Sequence, residues 1–119
     1  RATTHTRNHA PKAMNAAVKT VRTPSCRPDC THVWHQYTVR VPEGMDRDAA
    51  VARLQASGIG AAVFYPMPAY QQPYLIERGF GGITLPVVSR VAREVISLPV
   101  HPLLTEEERL AVIREVNRL

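Results

Sequence analysis

From Val33 to Val41 the chain alternates. Val33, His35, Tyr37, Val39 and Val41 fall on one face of an extended segment, and Trp34, Gln36, Thr38 and Arg40 on the other. Period-two alternation of β-branched and aromatic residues suits a pleated surface with one buried side, so the segment reads as a strand. Pro42 and Gly44 end it. A strand of this kind needs a partner layer over its apolar face, which the downstream sequence must provide.

Asp46 is placed to cap a helix running through Ser57, with Asp48 in the first turn and Ala50, Val51 and Leu54 as its buried stripe. Gly58 falls where a left-handed residue closes a helix. Ile59 to Tyr65 reads as a second strand, apolar or small on both faces. Pro66 and Pro68 impose an extended loop, because proline fixes φ and biases its predecessor away from helix. Gln71 to Arg78 predicts a short helix stopped by Gly79, Gly81 and Gly82. Pro86 opens another helix, with Val87, Val91, Ala92 and Val95 as its apolar face. Val95 to Leu98 reads as a third strand, closed by Pro99. Thr105 and Glu108 form a capping box for a last helix that Leu110, Ile113 and Val116 would anchor. The expected fold is α+β: a small three-stranded mixed sheet covered by helices. Its first two strands would be parallel through a right-handed crossover, with Val95 to Leu98 antiparallel between them.

Residues 1 to 31 show neither period and are rich in Thr, Ala, Arg and Pro. They read as a flexible leader, with a short helix across Lys12 to Val21 as an option within it. The net charge of +5 resides there. Arg1, Arg7, Lys12, Lys19, Arg22 and Arg27 face Asp29 alone, whereas residues 32 to 119 balance nine arginines against nine acids. A neutral body with a basic leader argues against nucleic acid as the main partner, since the leader lacks interleaved aromatics. The 119-residue length suits one small domain. No apolar run approaches the roughly 20 residues that span a bilayer, and no signal-peptide stretch is present, so the cytoplasm is the expected location.

Three stretches taken together resemble a known family. His32-Val33-Trp34-His35-Gln36-Tyr37-Thr38-Val39-Arg40-Val41 is followed by Gly58-Ile59-Gly60-Ala61-Ala62-Val63-Phe64-Tyr65-Pro66-Met67-Pro68, then by Glu94-Val95-Ile96-Ser97-Leu98-Pro99-Val100-His101-Pro102. Over residues 32 to 119 these look like the small C-terminal domain of the pyridoxal-phosphate-dependent nucleotide-sugar aminotransferases of the DegT/DnrJ/StrS type, a small domain of fold-type I aminotransferases. Residues 1 to 31 do not match that pattern, as unrelated coding sequence or a reading-frame scar would not.

The resemblance implies a part of a keto-sugar aminotransferase that closes over cofactor and sugar. It implies pyridoxal phosphate in the complete enzyme, with glutamate as amino donor and a polysaccharide-building or related nucleotide sugar as substrate. Such an enzyme holds its cofactor through a lysine amine. Lys12 and Lys19, both in the leader, are the two lysines of the chain. No catalytic and no cofactor-binding residue is therefore expected here, and the chain alone is expected to be inactive. The expected partners are a separately encoded large aminotransferase domain or a second copy, and no membrane.

The loop Phe64 to Tyr70 holds the candidate substrate-pocket residues. The family commonly reads His-Tyr-x-x-Pro-x-His there. Here Phe64 stands at the first histidine, Tyr65 matches, and Tyr70 stands at the second. Aromatic faces and a phenol can hold a sugar ring, while the loss of both histidines weakens any proton-transfer role. Phe64 and Tyr65 equally suit the end of a core strand; the two readings are compatible. Cys26, Cys30, His32 and His35 are chemically suited to zinc, but their spacing is tighter than in fingers. A three-residue offset on a strand also sends the histidines to opposite faces. His35 is expected in the core and the cysteines as free thiols, so no metal is assigned. His101, at the exit of the last strand, reads as packing or surface. The competing classes are a non-catalytic protein-interaction module and a small metal- or nucleic-acid-binding protein.

Overall fold

The computed structural model describes residues 4–119. Elements follow in the order α1 (Thr4–Ala17), β1 (Tyr37–Arg40), α2 (Arg47–Ala56), α3 (Pro73–Glu77), α4 (Pro86–Glu94), β2 (Val95–Leu98) and α5 (Glu106–Val116). Short 3-10 turns at Ala69–Gln71 and Phe80–Gly82 flank α3. Among the described residues no helix is long and apolar enough to cross a membrane.

The class is α+β, but the sheet corrects the expected three-stranded mixed one. β1 and β2 pair antiparallel, with Tyr37 opposite Leu98 and Val39 opposite Ile96. Beyond β2 lies a single antiparallel bridge, in which Ala62 and Ser97 exchange backbone bonds of 3.0 and 2.7 Å. The Ala61 N–H turns back to the Ile59 carbonyl at 2.7 Å. That three-residue turn bends Ile59 to Tyr65 and withdraws it from a ladder. Its residues still pack, since Ile59 and Ala61 are buried.

β1 starts later than the alternation suggests. Trp34 has φ +52, outside extended geometry. Its N–H bonds to His32 Nδ1 at 2.9 Å, and the two rings stack at 3.9 Å. This local knot breaks the pleat, so Val33 is exposed and Trp34 is buried. His35, expected in the core, is exposed.

The largest departure lies in residues 1–31. Residues 1–3 fall outside the described part, but from Pro11 onward the segment belongs to the core. Pro11, Met14, Val18 and Val21 are buried, and Met14 and Val18 join the cluster that contains Tyr37, Leu54, Ile96 and Val116. The Tyr37 hydroxyl donates to Asn15 Oδ1 at 2.5 Å, and Asn15 Nδ2 donates to the Pro24 carbonyl at 3.0 Å. Arg22 and Arg40 exchange backbone bonds along the outer edge of β1. Asn117 clamps the other side: its Oδ1 accepts from the Lys19 N–H at 2.8 Å and its Nδ2 donates to the Ala17 carbonyl at 2.9 Å. The reading of a leader separate from the domain thus differs from the packing of Pro11 to Arg22. The helix is also longer than the option across Lys12 to Val21 and begins earlier.

The helix signals around the sheet resolve as local physics demands. Asp46 Oδ1 accepts from the Asp48 and Ala49 N–H groups at 2.9 and 3.1 Å, satisfying two orphan donors of α2. Gly58 closes that helix at φ +80. Thr105 and Glu108 form the reciprocal capping box of α5. That helix buries Val112 and Val116, with Ile113 partly covered, while Leu110 points outward. α4 passes into β2 without a linking residue, and all four residues of β2 are buried. Arg47 rivets this joint. It is only 8% exposed, and its Nη1 donates to the Ala92 carbonyl at 2.9 Å and toward the Val95 carbonyl at 3.4 Å. A cation thereby meets the carbonyl end of α4, where the helix dipole favours it. Arg40 adds a pair of bonds to Glu94 Oε2 across the same joint.

Candidate functional site

Between the Ala62 bridge and α4 the chain leaves the core. Pro66 and Pro68 withhold backbone donors, and the segment continues through α3 and its two 3-10 turns. Its large apolar side chains face outward: Tyr65 is 75% exposed, Tyr74 60% and Val87 62%. Phe64, Met67, Ile76, Phe80, Ile83, Leu85 and Val88 are exposed as well. The expected apolar face of α4 is thus divided, with Ala92 buried, Val91 half-buried and Val87 outward. A contiguous stretch so rich in exposed apolar side chains marks a surface that meets another macromolecule or a ligand. The molecule is correspondingly drawn out. Its radius of gyration is 16.1 Å, against about 13.5 Å for a compact domain of this length.

Two of the three expected pocket residues stand together. The Phe64 and Tyr65 rings meet edge to face, with centroids 6.1 Å apart and planes at 76°. This arrangement leaves aromatic surface available for stacking on a ring. Tyr70 is engaged elsewhere: its hydroxyl pairs with Ser89 Oγ at 2.5 Å and accepts from Gln71 Nε2 at 3.3 Å. It therefore ties the loop to the first turns of α4. Ser89, 19 residues downstream, carried no sequence signal for this role.

The other sequence candidates do not converge on the loop. Lys12 and Lys19 are exposed, on α1 and just beyond it. Cys26 and Cys30 are free and exposed. Among the described residues no group of three histidine, cysteine or acidic side chains is disposed to hold a metal ion. His101 lines a depression of about 300 Å³ together with Gly58, Gly60, Leu104 and Glu108. The Glu108 carboxyl lies below its ordinary value of 4.5, chiefly because the Thr105 N–H donates to it, then through the Thr105 hydroxyl.

Comparison with known proteins gives one consistent result. The family model described as the DegT/DnrJ/EryC1/StrS aminotransferase family matches residues 3–117. The pleiotropic regulatory protein of Geobacillus stearothermophilus is 39% identical over 85 residues, which is 71% of this chain and 22% of that protein. The dTDP-3-amino-3,6-dideoxy-alpha-D-galactopyranose transaminase of Aneurinibacillus thermoaerophilus is 33% identical over 98 residues, 82% of this chain and 26% of that enzyme. Among solved structures, DesV of S. venezuelae superposes with a TM-score of 0.85 at 29% identity, covering 97% of this chain and 31% of that one. The chain thus spans about a quarter to a third of the length of these relatives. The match begins at residue 3, so it takes in the segment read from sequence as an unrelated leader. With a match over nearly its whole length, the chain belongs to the DegT/DnrJ/EryC1/StrS aminotransferase family.

Proposed function

We propose that this chain supplies the small domain of a nucleotide-sugar aminotransferase, which closes over a cofactor and a keto-sugar held largely by other polypeptide. The observation that carries this reading is the exposed apolar stretch from Phe64 to Val88, in a chain that matches only part of each relative. That stretch would pack on the large domain. Phe64 and Tyr65 would face the sugar by ring stacking, and Tyr70 would brace the loop through Ser89. The substrate class is a 3-keto or 4-keto nucleotide sugar, with glutamate as donor. A cytoplasmic setting, where nucleotide sugars are made, suits the same reading.

The family uses pyridoxal phosphate, which supplies an electron sink for transamination when bound. The residues present do not fit the attachment of that group. Attachment needs a lysine amine in a desolvated pocket, whereas Lys12 and Lys19 lie at the surface and residues 32 to 119 contain no lysine. No catalytic step is therefore assigned to this chain, and its contribution is to bind, orient and exclude water.

The test is reconstitution with a lysine-bearing large domain of the same family. A one-to-one complex that transfers an amino group to a keto nucleotide sugar is expected, with a raised KM for the sugar in Tyr65→Ala. A complex without amino transfer would favour the non-catalytic interaction module. Absence of any complex, with the stretch still binding a hydrophobic dye, would overturn the proposal.

A further inference from the structure

We propose that Cys26 and Cys30 form a dithiol that a small disulfide, such as glutathione disulfide, closes into an intramolecular crosslink, pinning the loop between α1 and β1. The inference stands apart from the aminotransferase reading and uses none of its residues. The two cysteines bracket a tight turn in which the Cys30 N–H donates to the Arg27 carbonyl at 3.1 Å. Pro28 occupies the second turn position, where its fixed φ is preorganised. The Arg27 guanidinium grips both oxygens of Asp29, at 3.0 and 2.5 Å, and holds the turn from outside.

Within this frame the Cys26 thiol already reaches the backbone of Cys30. Its Sγ donates to the Cys30 carbonyl oxygen at 3.1 Å. Standard bond lengths then place Cys26 Sγ within about 5.5 Å of Cys30 Cα. The Cys30 thiol lies 3.7 Å from Asp29 Oδ1, on a weak contact, and is exposed. Being exposed, the Cys30 side chain is free to change its χ1 rotamer. Disulfides need Cα atoms roughly 4.4 to 6.8 Å apart, and the contact of Cys26 Sγ with the Cys30 carbonyl draws the two residues toward that range. Both thiols line an open depression of about 390 Å³, which admits a small disulfide.

The reaction balances without a further reagent. One cysteine thiolate attacks a sulfur of glutathione disulfide, forming a mixed disulfide and expelling one glutathione thiolate. The second cysteine attacks the protein sulfur of that mixed disulfide, the protein S–S bond forms, and the second glutathione leaves. The pair loses two electrons, glutathione disulfide gains them, and the two cysteine protons pass to the leaving thiolates.

The test equilibrates the full chain in glutathione buffers of increasing oxidation, quenches with acid, labels free thiols with a maleimide and weighs the product. Expected is paired loss of both labels, a product lighter by two hydrogens, no retained glutathione and no covalent dimer. Cys26→Ser and Cys30→Ser should each keep a stable glutathione adduct instead. Accumulation of glutathione adducts or covalent dimers on the wild-type chain would overturn the proposal, and so would two labels that persist in the most oxidising buffer. These readouts use the wild-type protein, so the result does not depend on how well either variant folds.

Discussion

Alkaline titration of Tyr37 tests whether the segment around α1 is part of the fold. The side chain is fully buried beneath that segment, and burial pushes its phenol from 10.0 up to about 12. The folded state favours the neutral phenol, so the stabilisation is complete below pH 10, falls as pH rises, and is gone above pH 12. A shift of this size amounts to about 3 kcal/mol at the alkaline limit. Tyr37→Phe removes this linkage along with the bond to Asn15, whose loss costs about 1 kcal/mol at neutral pH. Wild type should therefore be the more stable protein at pH 8, and the two stability curves should cross between pH 10 and 12. Urea unfolding followed by the fluorescence of Trp34, whose ring lies 5.8 Å from that of Tyr37, measures both curves. Curves that stay parallel to pH 12 would show that Tyr37 is solvated and that α1 does not cover it.

Met14→Ala should cost about 2–5 kcal/mol in the same unfolding assay, because it empties a fully buried site; a cost near zero would return α1 to the status of an appendage. Asn117→Ala removes the clamp on Ala17 and Lys19 and should cost about 1 kcal/mol, with faster amide exchange at Lys19 as its local signature. Thr105→Ala should lower the melting temperature. It should also lessen the acid limb in part, because the bonded Glu108 carboxylate stabilises the fold above pH 4.5 and loses that effect as pH falls through its depressed value. The substitution removes the hydroxyl donor while keeping the stronger backbone one. Unchanged acid sensitivity would mean that the Thr105 hydroxyl does not reach Glu108 in solution.

Local signals were legible and tertiary ones were not. Asp46, Gly58, Pro86 and the Thr105–Glu108 pair act within one helical turn, so their spacing along the chain reports their roles. α1 is legible only as the option across Lys12 to Val21, because its apolar positions are sparse among Ala, Thr and Arg and because Pro11 lies inside it. Met14 sits in its last turn, whereas Val18 and Val21 reach the core from the irregular segment beyond it, where a helical period does not apply. The strand over Val33 to Val41 was shortened by the left-handed Trp34, a choice fixed by its bond to His32 and invisible to a period-two pattern. Arg47 was read past altogether, since its partners are carbonyls 45 and 48 residues away. At the candidate site, the aromatic character of Phe64 and Tyr65 was plain from sequence. The engagement of Tyr70 by Ser89 depends on how the excursion folds back, which no local rule encodes.

The seamless passage from α4 into β2 has a mechanical consequence. A flexible hinge needs at least one residue whose dihedrals are free, and here the Val95 N–H is committed to Val91 while Arg47 grips the carbonyls on either side. Whatever seats on Val87 and Val88 therefore leans on a stiff lever whose far arm is the innermost strand. Force applied at the rim arrives at Ser97 undamped, and the body would swing as one piece.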